Sequence, residues 1–266
     1  MRCPVCLEEI PRHSRFCDRC GVRIASGARL RRTGASAGEE LRRRLHVILR
    51  STLKLEGDPV AVKLLRDEPP PAYFHEPEGP SPHCHMIWRA HKGESLHSPS
   101  SKHSCMIGAL CLGLASHRNG LKGAFMDSVG YGSRNKFRSG ELLERYLREV
   151  PTVPMGVKGV LYAPLGRAPS DPDVVIVLGD SMKATLLLEA YHYVYGRRLQ
   201  VSLGAYFPLC AESVAGPLTT GSMSLTPAGG CAIRGDEGFR NLVSTAFPYY
   251  MARRIVEALE SLNIRG

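Results

Sequence analysis

The sequence predicts an α/β or α+β domain, a mixed sheet flanked by helices, with a small zinc ribbon at its N-terminus. Three observations predict it. Strand-like apolar runs alternate along the chain with segments of helical periodicity. The first twenty residues contain two Cys-x-x-Cys pairs, CPVC and CDRC. At 266 residues with 43% apolar content, the chain has room for one substantial core, and no apolar run is long enough to span a bilayer. Three segments follow: a ribbon over 1–24, a flexible basic linker over 25–37 and a main domain over 38–266.

The ribbon rests on Cys3, Cys6, Cys17 and Cys20. Each Cys-x-x-Cys turn aims two thiolates at one point, and two such turns supply the tetrahedral sulfur set that Zn²⁺ takes without electronic preference; a rubredoxin-like iron is the alternative. No signal peptide precedes these cysteines, so a reducing, cytoplasmic setting is expected and disulfides are not. So short a segment buries too little apolar surface to fold alone, and the metal must supply its folding energy. The linker, ASGARLRRTGASA, is small, glycine-containing and basic.

From Glu39 to about Leu55, Leu41, Leu45, Ile48, Leu49 and Leu53 recur at helical spacing. Gly57, Asp58 and Pro59 end that helix, and PVAVKLL alternates as a strand. A proline-rich surface loop covers 68–82. Helices are expected near 84–92 and 103–116, joined by a polar, serine-rich stretch, and again over 140–149. GVKGVLYAPL and DVVIVLGD read as strands, the second apolar enough to be buried on both faces. Ser181 to Tyr195 forms a helix stopped by Gly196. A last helix starts at Pro248, with Ala252, Ile255, Val256, Leu259 and Leu262 on one face.

The charge is unevenly placed. Residues 1–50 hold twelve arginines against five acidic residues, so +7 of the net +10 lies there. Such a cluster could engage nucleic acid or a protein partner, although no aromatic platform for base stacking is interleaved with the arginines. No membrane contact is expected. Familiar chemistries are excluded: there is no GxxxxGK[ST], no GxSxG and no HExxH. Gly130-Tyr131-Gly132 begins like a dinucleotide fingerprint, but Asn135 stands where the third glycine belongs. Asp180 and Ser181 follow a strand and read first as a helix cap.

Seven of the ten histidines fall between His75 and His117, densest at His83-Cys84-His85. In so polar a stretch they read as surface residues. Five cysteines lie outside the ribbon: Cys84, Cys105, Cys111, Cys210 and Cys231. Free cysteine often behaves as a small buried hydrophobe. Glycines nevertheless stand near Cys105 in SCMIGALCLGL and beside Cys231 in GGCAIRG, where backbone amides could approach a thiolate or sulfide.

Several motifs together have a family likeness: GDPVAVKLL, HCHMIWRAHKG, SCMIGALCLGL, PDVVIVLGD, LCAESVAGP, GGCAIRG with Asp236 and Glu237, and FPYYMARRIVEAL. From about Leu41 to Leu262 the chain resembles domain-of-unknown-function family 169, an uncharacterised archaeal and bacterial group. The resemblance implies cysteines at positions matching Cys84, Cys105, Cys210 and Cys231, whereas Cys111 falls where a small apolar residue is expected and reads as core. The family prefers a proline-containing turn after the strand at 174–178, where this chain has Gly179-Asp180-Ser181.

Three functions follow as expectations. The first is a metal-binding protein of redox or sensory role, in which Cys84, Cys105, Cys210 and Cys231 hold a second cofactor: a [4Fe–4S] cluster, another soft metal or a tetrapyrrole. Arg234 would tune its charge. The second is a cysteine-dependent enzyme, with Cys105 activated at a helix start. The third is an adaptor that binds nucleic acid or protein through residues 1–50.

Overall fold

The computed structural model describes residues 36–129, 136–229, 237–239 and 241–262. The ribbon cysteines, residues 25–35 of the linker, the Gly130-Tyr131-Gly132 run, Cys231 and Arg234 lie outside the described residues, and the linker's last two residues, Ser36 and Ala37, cap and open the first helix.

Helix α1 (Ala37–Thr52) opens on Ser36, whose hydroxyl accepts the Glu39 N–H. It leads to β1 (Val60–Leu65), α2 (His83–His91) and β2 (Leu96–Pro99). Three helices follow, α3 (Met106–Cys111), α4 (Gly120–Val129) and α5 (Gly140–Glu149), then β3 (Gly159–Pro164) and β4 (Val174–Gly179). The chain continues through α6 (Ser181–Tyr195), a π-helix over Pro208–Ala215, α7 (Gly216–Thr220), β5 (Ser224–Pro227), β6 (Val243–Pro248) and α8 (Ala252–Ser261).

The strands form one open sheet in the order β2-β3-β1-β4-β6-β5, and every neighbouring pair is antiparallel. The α+β form of the expectation therefore holds, and the expected mixed sheet does not. Val174–Gly179 of DVVIVLGD is fully buried as expected, but it lies between two antiparallel neighbours. Its continuous apolar run reflects helices on both faces rather than parallel pairing.

Alternation along the strands divides the core in two. Val60, Val62, Val160, Tyr162, Val174, Ile176 and Ala246 face a layer containing Met86, Ile87 and Ala90 of α2 and Leu209 and Val214 of the π-helix. Ala61, Val175, Val177 and Phe247 face Leu45 and Leu49 of α1, Leu187 of α6 and Ile255 and Leu259 of α8. Cys84 and Cys210 pack against the first layer.

Boundaries shift where local chemistry decides them. The polar stretch after α2 is a strand, because Leu96–Pro99 pairs with β3 at the sheet edge. The helix expected over 103–116 shrinks to Met106–Cys111. Gly113, at φ +70°, closes it, and the Gly113 carbonyl takes N–H groups from Gly156 and Val157. Pro248 ends a strand rather than starting a helix; a 3₁₀ turn, Tyr249–Met251, separates it from α8. Asp180 is a cap, as expected: its carboxylate accepts the Lys183 N–H at 3.0 Å, and Gly196 stops α6 in the left-handed region.

The arginines of α1 are committed within the fold. Arg42 pairs with Asp171, Arg43 with Glu40, Arg44 with Glu260 and Arg50 with Asp58. These four of the twelve N-terminal arginines carry partners of their own. No helix among the described residues is long and apolar enough to cross a membrane.

Candidate functional site

The site is built around the π-helix. Phe207 enters it with φ 77° and ψ 42°, a left-handed conformation that a bulky residue adopts only when its surroundings enforce it. Here the enforcement is aromatic, since the Phe207 ring packs among Phe125, Tyr146 and Tyr206. The Phe207 carbonyl then accepts both Ala211 N–H at 2.9 Å and Glu212 N–H at 3.3 Å, the widened turn of a π-helix. Ser213 donates to the Pro208 carbonyl at 2.8 Å and lies 2.7 Å from the Ser244 hydroxyl, tying the helix to β6. π-Turns leave backbone carbonyls open to side chains and are frequent at functional sites.

The Leu209 carbonyl is one that is used. His83 Nε2 lies 3.1 Å from it, and His83 Nδ1 lies 2.6 Å from the Tyr162 hydroxyl. A carbonyl only accepts, so Nε2 carries the hydrogen. Burial drives the His83 pKa down to about 3, so the ring is neutral and Nδ1 is an acceptor. The Tyr162 O–H must therefore donate to it. Burial, then the nearby Cys84 and Cys210 thiols, pushes the Tyr162 hydroxyl well above its ordinary value, which keeps it a donor. The His103 ring lies 6.2 Å from that of His83, with Nδ1 3.3 Å from the Ser98 hydroxyl. Burial lowers the His103 pKa to about 4.

Cysteines gather around this axis from three separate elements. Cys84 follows His83 on α2, Cys105 is the N-cap of α3, and Cys210 sits on the π-helix. Cys84 and Cys210 both pack against the first core layer, and Cys105 and Cys210 both border the cluster of Ile107, Cys111 and Phe125. The Cys105 thiol accepts the Gly108 N–H at 3.4 Å. Burial still carries its pKa upward, with the Cys210 thiol adding to the rise. Cys210 is held well above its ordinary value by a hydrogen bond with Cys111 and by burial. None of the described cysteines forms a disulfide. Among the described residues, no group of three or more His, Cys, Asp or Glu side chains is arranged to hold a metal ion.

Glu212 borders the same π-turn. It accepts the Gly204 N–H at 3.1 Å, and burial pushes its pKa up to about 6. A side chain at Gly204 would meet the Tyr146 hydroxyl and the Glu212 carboxylate, so glycine is needed for this close approach.

The family model described as uncharacterised ArCR, domain-of-unknown-function family 169, matches residues 48–258. The chain belongs to that family. It is also similar to an uncharacterised protein of Methanocaldococcus jannaschii, 28% identical over 218 residues that cover 80% of this chain and 91% of the relative. No solved structure matches the chain. The match contains all four cysteines that the resemblance singled out, and both the π-helix and α2.

Of the sequence-predicted site residues, Cys210 borders one core cluster with Cys84 and another with Cys105. Cys231 lies outside the described residues. The ribbon set, Cys3, Cys6, Cys17 and Cys20, also lies outside. Cys111 is fully buried, as its core reading requires, yet its thiol partners Cys210. The surface reading of the histidines fails at His83, His91 and His97, which are all buried. A signal for His83 existed: His83, Met86, Ile87 and Ala90 fall at i, i+3, i+4 and i+7, the inward stripe of α2.

Proposed function

We propose that this is a metal-binding protein in which Cys84, Cys105 and Cys210, with Cys231 as the fourth sulfur that the family likeness suggests, hold an iron–sulfur or other soft-metal cofactor for a redox or sensory role. A zinc ribbon formed by Cys3, Cys6, Cys17 and Cys20 belongs to the same reading. What supports it is that Cys210 of the π-helix borders one core cluster with Cys84 of α2 and another with Cys105 of α3, near a buried His83–Tyr162 pair.

The direction of the thiol pKa values argues against nucleophilic catalysis. A cysteine nucleophile needs a lowered pKa in an electropositive, accessible setting. Cys105 and Cys210 are raised instead, and α3 is only six residues long. A bound cation removes this penalty, because coordination deprotonates a thiol outright and neutralises the resulting charge. The His83–Tyr162 pair, saturated at both imidazole nitrogens, would act as a rigid support behind the sulfurs. The test is iron and acid-labile sulfide analysis, with a UV–visible spectrum, on full-length protein purified anaerobically. Visible sulfur-to-metal charge transfer beyond what the ribbon metal explains is expected. A colourless protein holding one zinc and no iron or sulfide would overturn the reading.

A further inference from the structure

We infer that the corner where the end of α6 meets the start of α8 binds a phosphate dianion, held by the Tyr195 hydroxyl and the guanidiniums of Arg197 and Arg254. This corner packs against the second core layer, whereas Cys84 and Cys210 pack against the first, so the inference is independent of the cysteine reading. Three tyrosines meet there: Tyr191 and Tyr195 of α6, with ring centroids 4.8 Å apart, and Tyr250 of the turn before α8. Two of the three hydroxyls are engaged. Tyr191 accepts from Arg197 Nε at 3.2 Å, and Tyr250 donates to the Gly221 carbonyl. The Tyr195 hydroxyl is buried and has no hydrogen-bond partner among the described residues. Buried polar atoms are nearly always satisfied, and an orphan commonly marks the place of an ion, a water or a ligand.

The charge around that hydroxyl is positive. Arg197 Cζ lies 5.9 Å and Arg254 Cζ 5.6 Å from the centre of the Tyr195 ring, so both guanidiniums border the same side chain. Their sequence neighbours Arg198 and Arg253 add to the field. The arginines of α1 are matched by carboxylates, as Arg42 is by Asp171 and Arg44 by Glu260. Arg197, by contrast, has no carboxylate partner among the described residues. Its Nε is fixed by Tyr191, which orients the fork, and the side chain is exposed, so its Nη groups meet an incoming anion first. Burial pushes the Tyr195 pKa up to about 12, so the hydroxyl is a donor at neutral pH. Two guanidiniums and a hydroxyl donor suit an acceptor-only group that carries two charges and several oxygens. A phosphate dianion meets that description. A lone carboxylate would fill one guanidinium fork and leave the second charge unmatched.

The probe is inorganic phosphate, titrated calorimetrically into full-length protein in a phosphate-free buffer of fixed ionic strength. Methyl phosphate is titrated beside it, since free phosphate and a phosphate monoester present the same dianion. Saturable binding of phosphate is expected, and tighter binding of the monoester would identify the source as a small phosphorylated molecule. Tyr195→Phe keeps the ring and removes only the orphan hydroxyl. It should therefore fold at least as stably as the wild type in the absence of phosphate, yet bind phosphate roughly 10-fold more weakly. Arg197→Gln, at an exposed position, should weaken binding by at least about 10-fold. No saturation of the wild type at about 10 mM phosphate, roughly ten times a millimolar Kd, would overturn the site. Binding that both folded variants leave unchanged would overturn it too, because the phosphate would then lie elsewhere. A single-stranded oligonucleotide that binds far more tightly than phosphate, with equal affinity for wild type and Tyr195→Phe, would assign the basic corner to nucleic acid instead.

Discussion

Acidification should unfold this protein through His83, and the size of the effect follows from its surroundings. Its folded pKa is depressed from 6.5 to about 3 because the ring is fully buried. The folded state therefore excludes a proton that the unfolded chain binds as pH falls through 6.5. Stability from the neutral ring is fully present above pH 6.5 and is lost between there and pH 3. Between pH 7 and pH 5 the loss from this one residue is about 2 kcal/mol, approaching roughly 5 kcal/mol below pH 3. Neighbouring His103 and the carboxylates also titrate, so the measurement must be a difference. Urea unfolding of the wild type and of His83→Gln at pH 7 and pH 5 provides it. Glutamine can still donate toward the Leu209 carbonyl and accept from Tyr162, but it does not ionise. The wild type should lose about 2 kcal/mol more than the variant over that interval. Parallel pH profiles would refute the burial of a neutral imidazole at this position.

Other consequences are simpler to read. Gly113→Ala should destabilise by more than about 1 kcal/mol from the left-handed backbone alone, and further because its Cβ would lie 2.4 Å from the Pro154 carbonyl oxygen; a lowered urea midpoint checks it. Tyr162→Phe leaves the buried Nδ1 of His83 without its donor and should cost about 1–3 kcal/mol, measured by the same unfolding. Asp180→Ala removes the cap of α6 and should cost about 1 kcal/mol, whereas Asp180→Asn should keep most of it.

The parts of the fold that could be read were those where one physical demand dominates. β4 is apolar throughout because helices cover both sides of it, and α1 and α8 carry clean stripes toward one layer. β2 and β5 were not legible. Leu96–Pro99 and Ser224–Pro227 are four residues each, contain proline, and are strands only because edge pairing with β3 and β6 holds them. The π-helix was hidden for another reason. Its widened turn matches no standard period, and its entry depends on aromatic packing around Phe207 from segments more than sixty residues away. The family likeness named the cysteines, but the buried His83–Tyr162 pair near them was not legible. Tyr162 looks like any strand tyrosine until register places it between Val62 and Leu96, opposite His83.

The central claim is that thiols from α2, α3 and the π-helix serve one cofactor. It is tested most directly by metal and sulfide content in three full-length single variants, Cys84→Ala, Cys105→Ala and Cys210→Ala, purified anaerobically beside the wild type. The account predicts that all three lose the same visible cofactor and the same metal while keeping the ribbon metal. Cofactor content equal to wild type in all three folded variants, or lost in only one of them, would contradict it.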